Sequence, residues 1–289
     1  DERSPRGGRM CPTPVAAKAD SLGLPVLKPV SLKDDSLVET LSGYAADLIV
    51  VVAFKILREK LYTLPRLGSI NIHASLLPRY RGAAPINWAL INGETETGLT
   101  SFFLRKKVDT GDIIMQESVS INDDDTYDTL AARLSELAGP FLLRTLDMIE
   151  RGQASPVAQD DELATPAPKI SPFDALIDFG FPAERVRNFV RGLSSQPGAY
   201  THFRGRRVKV LSCHVYQDDS SREKAALPPG SVVSDPKRLI VQCANSAVEI
   251  DKVLPEGKKL MDGTSFLNGF KPQPGERFGI RSKGNEQKQ

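Results

Sequence analysis

The first half of the 289-residue chain alternates between two hydrophobic patterns. Apolar residues three and four positions apart predict helices, whereas short unbroken apolar runs predict strands that are covered on both faces of a sheet. We predict strands at residues 24–27, 47–53, 69–73, 98–104 and 113–119, and helices at residues 15–22, 31–44, 56–64, 85–92 and 126–149. This alternation indicates an α/β, doubly wound (Rossmann-like) domain, whose ligands bind beyond the carboxyl ends of the strands.

Three elements carry more specific predictions. The run at 47–53 is apolar almost throughout and rich in β-branched residues, so we place it at the centre of the sheet. Residues 98–104 and 113–119 flank a loop, and we expect them to pair as antiparallel strands. In the last helix, Pro140 lacks a backbone N–H, so we expect it to kink the helix or divide it in two.

The pattern changes after Gly152. Residues 152–174 contain four prolines and few apolar pairs, which is typical of an extended linker. An amphipathic helix is predicted at 183–193, followed by five short strands at 199–203, 208–214, 230–233, 239–242 and 247–253. Five short strands predict a small OB-like β-barrel. We therefore divide the chain into a first domain (1–151), a linker (152–174) and a C-terminal domain (175–289).

Composition excludes several classes of protein. The chain is 40% hydrophobic and 26% charged, with no apolar run near eighteen residues, so we expect no membrane span. Its three cysteines, Cys11, Cys213 and Cys243, are far apart, which argues against a disulfide framework or a zinc site and favours a reducing, cytoplasmic location. The three histidines also lack the spacing of metal ligands, and we predict no metal.

Charge divides the chain into two parts, although its net charge is only +2. Residues 1–174 carry 19 Lys and Arg against 24 Asp and Glu, whereas residues 175–289 carry 19 against 12. A basic C-terminal domain fits a polyanionic partner, because Lys and Arg make most phosphate contacts. It fits a merely solubilising surface equally well.

The densest set of chemical groups begins on the strand at 69–73. Asn71 and His73 are two residues apart, so their side chains leave the same face of the strand while Ile72 points to the other. With the carboxylate of Asp109 from a later loop, an amide would hydrogen-bond an oxyanion, an imidazole would move a proton, and an acid would fix the imidazole's tautomer and charge. Alternatively, His73 is only a capped or exposed residue at a strand end, and Asp109 only starts a turn before Gly111. Asp112 is the rival carboxylate.

The residues from 71 to 82, Asn-Ile-His-Ala-Ser-Leu-Leu-Pro-Arg-Tyr-Arg-Gly, together with Asp-Thr-Gly at 109–111, resemble the signature of the folate-dependent formyltransferases. The resemblance implies transfer of a formyl group from 10-formyltetrahydrofolate to an amine without a metal. It assigns catalysis to Asn71, His73 and Asp109. The residues that correspond to the family's folate slot are Phe54, Ile56, Leu57, Ser75, Leu76, Leu77, Pro78, Val108 and Thr110, although relatives commonly have a smaller turn at 54–55.

Other segments resemble the members of that family that act on tRNA. A loop with Arg3, Arg6 and Arg9 precedes Pro-Thr-Pro-Val at 12–15, like the insertion that holds a tRNA acceptor arm, and the C-terminal domain resembles the appended tRNA-binding module. The implied reaction formylates the α-amino group of initiator methionyl-tRNA for translation initiation. We expect the chain to be a monomer that binds neither DNA nor membrane. The cations that we place near phosphates are Arg3, Arg6, Arg9, Lys169, Arg204, Arg206 and Arg207. By default, the basic terminus is only solvated.

Two alternatives remain. A relative with the same donor would act on a small amine, such as an amino sugar nucleotide or glycinamide ribonucleotide, and a noncatalytic relative would only bind RNA.

The family's first domain normally opens with a strand, a helix and a second strand that have no counterpart here, so we expect that the domain lacks its first elements in this chain.

Overall fold

The computed structural model describes residues 2–3, 10–52, 56–217 and 227–279. It separates into two compact units, one of Asp1–Ile49 and Phe54–Ser69 and the other of Val50–Ala53 and Ile70–Gln289. Among the described residues, no helix combines the length and the apolar character needed to cross a membrane.

The first unit is built from short elements. In chain order these are β1 (Glu2–Arg3), β2 (Met10–Cys11), α1 (Pro14–Ser21), α2 (Ser36–Gly43) and α3 (Glu59–Tyr62), with β1 and β2 antiparallel. The hydroxyl of Thr13 caps α1 by accepting from the N–H of Ala16. The guanidinium of Arg58, just before α3, donates to Asp35 at the start of α2 at 3.2 Å.

Several predictions for this unit are wrong in extent. The described residues 24–27 form no strand, because Pro25 has no N–H to give to a ladder and Leu24 and Leu27 remain exposed. The helix predicted at 31–44 starts five residues later, since Ser31 and Asp34 use their side chains to accept backbone N–H groups in turns. The helix predicted at 56–64 is the single turn α3.

The α/β layer contains a four-stranded sheet in the order β3 (Ile49–Val52), β4 (Ser69–His73), β5 (Glu96–Phe103) and β6 (Ile113–Ser120). The predicted antiparallel pairing of β5 with β6 is confirmed, and β4 is also antiparallel to β5. The helices α4 (Pro85–Ile91) and α5 (Tyr127–Glu150) contribute Leu90, Leu130 and Phe141 to the core that contains Ile72 of β4. The Rossmann-like fold class is thereby confirmed.

In the described sheet, residues 47–53 do not take the central position predicted for them. β3 ends the order of the four described strands, and its Val50 and Val52 are 37% and 54% exposed. An apolar run indicates a strand that is favourable to bury. The order of strands in the sheet, however, depends on pairings between segments that are distant in sequence.

The long helix α5 is not divided at Pro140. Thr126 caps its N-terminus by accepting from the N–H of Thr129 at 3.3 Å, and the hydroxyl of Thr129 accepts the N–H of Thr126 in return. Pro140 lies on the exposed side of the helix, where water can satisfy the carbonyl that loses its partner.

The C-terminal part forms a curled antiparallel half-barrel, which confirms the predicted OB-like β-barrel domain. The helix α6 (Ala183–Gly192) comes first, followed by β7 (Tyr200–Phe203), β8 (Arg206–Val215), β9 (Val232–Val233), β10 (Ile240–Gln242), β11 (Ala247–Pro255), β12 (Met261–Asp262) and α7 (Gly263–Phe270). The strand order is β7-β8-β11-β10-β9, and β12 pairs with β11. Phe203, Phe266 and Phe278 pack together in its core.

Helix α6 also packs on the α/β layer. Gly192 lies so close to α4 that a Cβ atom there would be 2.8 Å from Cγ1 of Ile91, and its carbonyl accepts from Asn87 at 2.8 Å. Arg187 donates to Asp123, with its NH1 2.9 Å from Oδ1. Apolar contact and ion pairing at this helix therefore hold the C-terminal domain against the α/β layer.

Candidate active site

Strand β4 presents Asn71 and His73 on one face, as the period of a strand requires. Ile72, which points the other way, joins the apolar core. His73 is only 6% exposed. The Oδ1 atom of Asn71 is buried, and among the described residues it has no hydrogen-bond partner. A buried acceptor without a partner is costly in a folded protein.

The imidazole of His73 is oriented by a main-chain carbonyl. Its Nε2 lies 2.8 Å from the carbonyl oxygen of Tyr80, which only accepts, so Nε2 carries a proton. Nδ1 then faces Oδ2 of Asp109 at 3.9 Å, which is the distance of an ion pair and not of a hydrogen bond. The tautomer is therefore set by Tyr80, whereas Asp109 contributes its charge.

Asp109 is held in an unusual conformation. Its φ of 53° lies in the left-handed region, which costs a non-glycine residue about 1–3 kcal/mol. Its carboxylate, 9% exposed, accepts from the N–H of Gly82 at 2.9 Å. Gly111 is required nearby, because a Cβ atom there would lie 1.5 Å from the carbonyl oxygen of Phe103. The rival carboxylate of Asp112 instead binds Arg105, at 2.5 Å.

The residues predicted for the folate slot differ in burial and do not all lie in the same compact unit. Ser75 and Leu77 are buried, with the Ser75 hydroxyl donating to the carbonyl of Arg79, whereas Leu76 and Pro78 are half-buried. In the Asp109 loop, Val108 is exposed and Thr110 donates to the carbonyl of Lys107. Ile56 and Leu57 belong to the other compact unit, where Ile56 is exposed, and Phe54 lies outside the described residues.

The cations predicted to bind tRNA also separate into groups. Arg204 is already engaged, since it donates to Glu276 at 2.6 Å and to the carbonyl of Phe270. The hydrogen bond from Arg204 holds the pKa of Glu276 below its usual range. The guanidinium carbon of Arg207 lies 3.9 Å from the centre of the Tyr200 ring, and Arg206 and Lys169 are exposed. Arg3 is described only as part of β1, and Arg6 and Arg9 lie outside the described residues.

Sequence reasoning missed the residues that support the turn at 75–78. Thr100, opposite His73 on β5, donates to the carbonyl of Ser75 at 2.6 Å and accepts from the N–H of Leu77 at 3.1 Å. Gln116 donates to the carbonyl of Leu77 at 2.9 Å. The register of β4 and β5 would have found Thr100, but no motif marks either residue.

One group of metal-type side chains lies away from the catalytic strand. Among the described residues, His214 of β8 and Glu249 and Asp251 of β11 have ligand atoms within 4.8 Å of one another. The two ring nitrogens of His214 face Asp251 at 3.0 Å and Glu249 at 3.4 Å. These contacts already pair the three side chains, and the absence of a metal stays a prediction.

Comparison with known proteins gives consistent matches along the chain. Residues 6–146 match the family described as "Formyl transferase", and residues 169–271 match "Formyl transferase, C-terminal domain". The methionyl-tRNA formyltransferase of Bacteroides thetaiotaomicron is 39% identical over 96% of this chain and 88% of its own length. That of Parabacteroides distasonis is 42% identical over 92% of this chain and 84% of its own.

A solved structure has a similar fold. HypX from Aquifex aeolicus, crystallised in complex with tetrahydrofolic acid, matches with a TM-score of 0.59 and 20% identity, over 82% of this chain and 41% of its own. This chain thus spans less than half of HypX. The resemblance inferred from residues 71–82 and 109–111 is confirmed by the sequence relatives, and the chain belongs to the methionyl-tRNA formyltransferase family.

Proposed function

We propose that this chain transfers a formyl group from 10-formyltetrahydrofolate to the α-amino group of methionyl initiator tRNA. The observation that carries the proposal is the buried pair of His73, which shares a face of β4 with Asn71, and Asp109, which lies on the loop between β5 and β6. Relatives about 40% identical over nearly the whole chain bear the name of this activity.

Asn71 is the hydrogen-bond donor in this chemistry. Attack of an amine on a formyl carbon places negative charge on the former carbonyl oxygen, and the Nδ2 group of Asn71 is the donor to that oxygen. Removing one such donor typically costs about 3 kcal/mol of transition-state stabilisation.

His73 moves the proton. Because Nε2 is held by the carbonyl of Tyr80, Nδ1 is the nitrogen that takes a proton from the attacking amine and returns it to the departing folate nitrogen. The imidazole carries a positive charge between these two steps. The buried carboxylate of Asp109, 3.9 Å away, stabilises that charge.

The segments around these residues support the choice of donor and acceptor. The turn at 75–78 offers apolar side chains and main-chain groups next to β4, which suits a flat heterocycle on a flexible tail. The exposed Lys169 and Arg206, together with Arg3, Arg6 and Arg9, are proposed to contact phosphates of the tRNA. We also propose that the chain acts as a monomer in the cytoplasm, where the thiols of Cys213 and Cys243 stay reduced.

The test is a formyl-transfer assay of the purified chain with 10-formyltetrahydrofolate and three acceptors: methionyl initiator tRNA, an amino sugar nucleotide and glycinamide ribonucleotide. We expect formylated methionyl-tRNA, and we expect His73→Ala to abolish transfer while sparing tRNA binding. Transfer to a small amine alone would overturn the choice of acceptor. Binding of tRNA with no transfer to any acceptor would favour the noncatalytic RNA-binding relative.

A further inference from the structure

The segment that joins the α/β layer to the C-terminal domain makes specific hydrogen bonds to the α/β layer. Val157 forms two main-chain hydrogen bonds with Ile113 of β6, at 2.8 and 2.9 Å. Farther on, the N–H of Arg81 donates to the carbonyl of Thr165 at 2.9 Å, and the N–H of Ala167 donates to the carbonyl of Arg81 at 2.7 Å. Residues 157–167 are therefore fixed at one end to strand β6 and at the other end to the loop that follows β4.

Gln159 lies inside this fixed segment and uses both ends of its side-chain amide. Its Nε2 donates to the carbonyls of Asp109 at 3.0 Å and Gly111 at 2.8 Å. Its Oε1 accepts from Arg81, from Nε at 3.0 Å and from NH2 at 2.8 Å. An amide has two N–H donors and two acceptor sites, so all four are used, and no other side chain of this length offers the same set.

The contacts of Gln159 fall on the strained part of the site. Asp109 has a left-handed φ of 53°, and Gln159 holds the carbonyl of Asp109 itself and that of Gly111. Its other contact, Arg81, immediately precedes Gly82, whose N–H binds the Asp109 carboxylate. One side chain therefore ties the loop that carries the carboxylate to the loop that orients it.

The Arg81 end of the contact is itself secured. The NH1 of Arg81 donates to Asp161 at 2.7 Å, and this hydrogen bond holds the pKa of the Asp161 carboxyl below its usual range. Gly82 fits only without a side chain, because its φ is 131° and a Cβ atom would lie 2.5 Å from the carbonyl oxygen of Ala167. The position of Gly82 is therefore determined by the same joining segment.

We propose that Gln159 is a positioning residue for the reaction: it sets the distance between Asp109 and His73 without touching substrate. This proposal rests on the proposed function, in which Asp109 stabilises the charge on His73. The joining segment continues into the C-terminal domain, so this domain is linked through Gln159 to the loop that carries the catalytic carboxylate. Loss of the Gln159 contacts releases the left-handed turn and lowers the rate of transfer at an unchanged affinity for substrates.

The experiment compares wild type with Gln159→Leu, Gln159→Glu and the control Gln153→Leu. Gln153 is an exposed glutamine that lies just before this segment. In Gln159→Leu we expect kcat for formyl transfer to fall about 10- to 100-fold, as for a small misplacement of a reacting group. We expect KM for both substrates to stay within about twofold of wild type. Gln159→Glu keeps the acceptor for Arg81 but sets a carboxylate against two carbonyls, so it should also lose rate, whereas Gln153→Leu should keep it.

A second measurement does not depend on activity. Amide hydrogen exchange at Gly82, whose N–H binds the Asp109 carboxylate, should become faster in Gln159→Leu relative to the amides of β5, which report the stability of the sheet. Wild-type kcat in Gln159→Leu, a loss confined to KM, or unchanged exchange at Gly82 would each overturn the positioning role. If the wild-type chain transfers formyl to no acceptor, the proposed function fails, and the exchange measurement still decides whether Gln159 holds the turn.

Discussion

His73 and Asp109 face each other inside the protein, with 3.9 Å between Nδ1 of the imidazole and Oδ2 of the carboxylate. Neither side chain sets this distance. The carbonyl of Tyr80 holds Nε2 of His73, and the N–H of Gly82 holds the carboxylate of Asp109. A single short segment, residues 80–82, therefore orients the two side chains that we assign to proton transfer and charge stabilisation.

Removing only the charge of Asp109 tests this arrangement. In Asp109→Asn the side-chain oxygen can still accept from the N–H of Gly82, so we expect the fold to persist while kcat falls at least about 100-fold. Steady-state kinetics and a thermal melt measure the two effects. Asp112→Asn is the matched control, because Asp112 binds the exposed Arg105 and should change kcat by less than about threefold. Equal losses in the two variants would contradict the assignment.

Asn71 should show a trade-off between stability and activity. Its Oδ1 is buried without a partner among the described residues, a situation that costs about 1–3 kcal/mol. We expect Asn71→Leu to leave the free energy of unfolding unchanged or to increase it, while transfer is lost. Urea titration and the formyl-transfer assay check the two halves. A large fall in stability would mean that Asn71 has a structural role instead.

The sequence predicted the local parts of this site better than the parts that depend on distant contacts. The strand at 69–73 and the shared face of Asn71 and His73 follow from a two-residue period, and the structure has that strand as β4. Tyr80 lies within the recognised motif, but the role of its carbonyl could not be read from residue types, because every residue has one. Gln159 is 50 residues from Asp109 and carries no motif.

The same distinction explains the errors in the fold. The apolar run at 47–53 predicts a strand, and β3 is there, but its place at the end of the described order depends on which strands pair. Arg204 is predicted as a phosphate ligand from its charge and its turn, and this stays a prediction; its contact with Glu276, 72 residues away, could not be read from the sequence. Pro140 is tolerated because of the face of α5 on which it lies.

Two buried threonines of β5 make a matched test of the support for the turn at 75–78. Thr100 uses its hydroxyl toward Ser75 and Leu77, whereas the hydroxyl of the equally buried Thr97 has no partner among the described residues. We expect Thr100→Val to lower the free energy of unfolding by about 1–3 kcal/mol and to raise KM for the folate donor. Thr97→Val should be neutral or stabilising. Equal effects in the two variants would show that the hydroxyl of Thr100 does not hold the turn.

The contact of α6 with α4 should be sensitive to a single methyl group. A Cβ atom at Gly192 would meet Cγ1 of Ile91 at 2.8 Å and the carbonyl of Asn87 at 3.1 Å, so we expect Gly192→Ala to destabilise the protein by about 1–3 kcal/mol. Gly269 in α7 is the control, since nothing lies within 4 Å of its added Cβ. Gly269→Ala should stabilise by about 0.5–1 kcal/mol. Denaturant unfolding distinguishes the two, and a neutral Gly192→Ala would mean that the helices separate easily.

The acidic loop before α5 predicts how stability depends on pH. Burial raises the pKa of Asp125, but hydrogen bonds from the N–H of Asn122 and from Arg133 lower it more, and the net pKa lies below its usual range. A carboxyl group whose folded-state pKa is depressed stabilises the fold above its unfolded pKa and loses that contribution as the pH falls through the folded value. Asp125→Asn should therefore be less stable than wild type at pH 7, and the difference should shrink below about pH 4. Urea titrations at several pH values, with the exposed Asp124→Asn as control, measure this difference, and a gap that stayed constant down to about pH 2 would contradict the role of the charge.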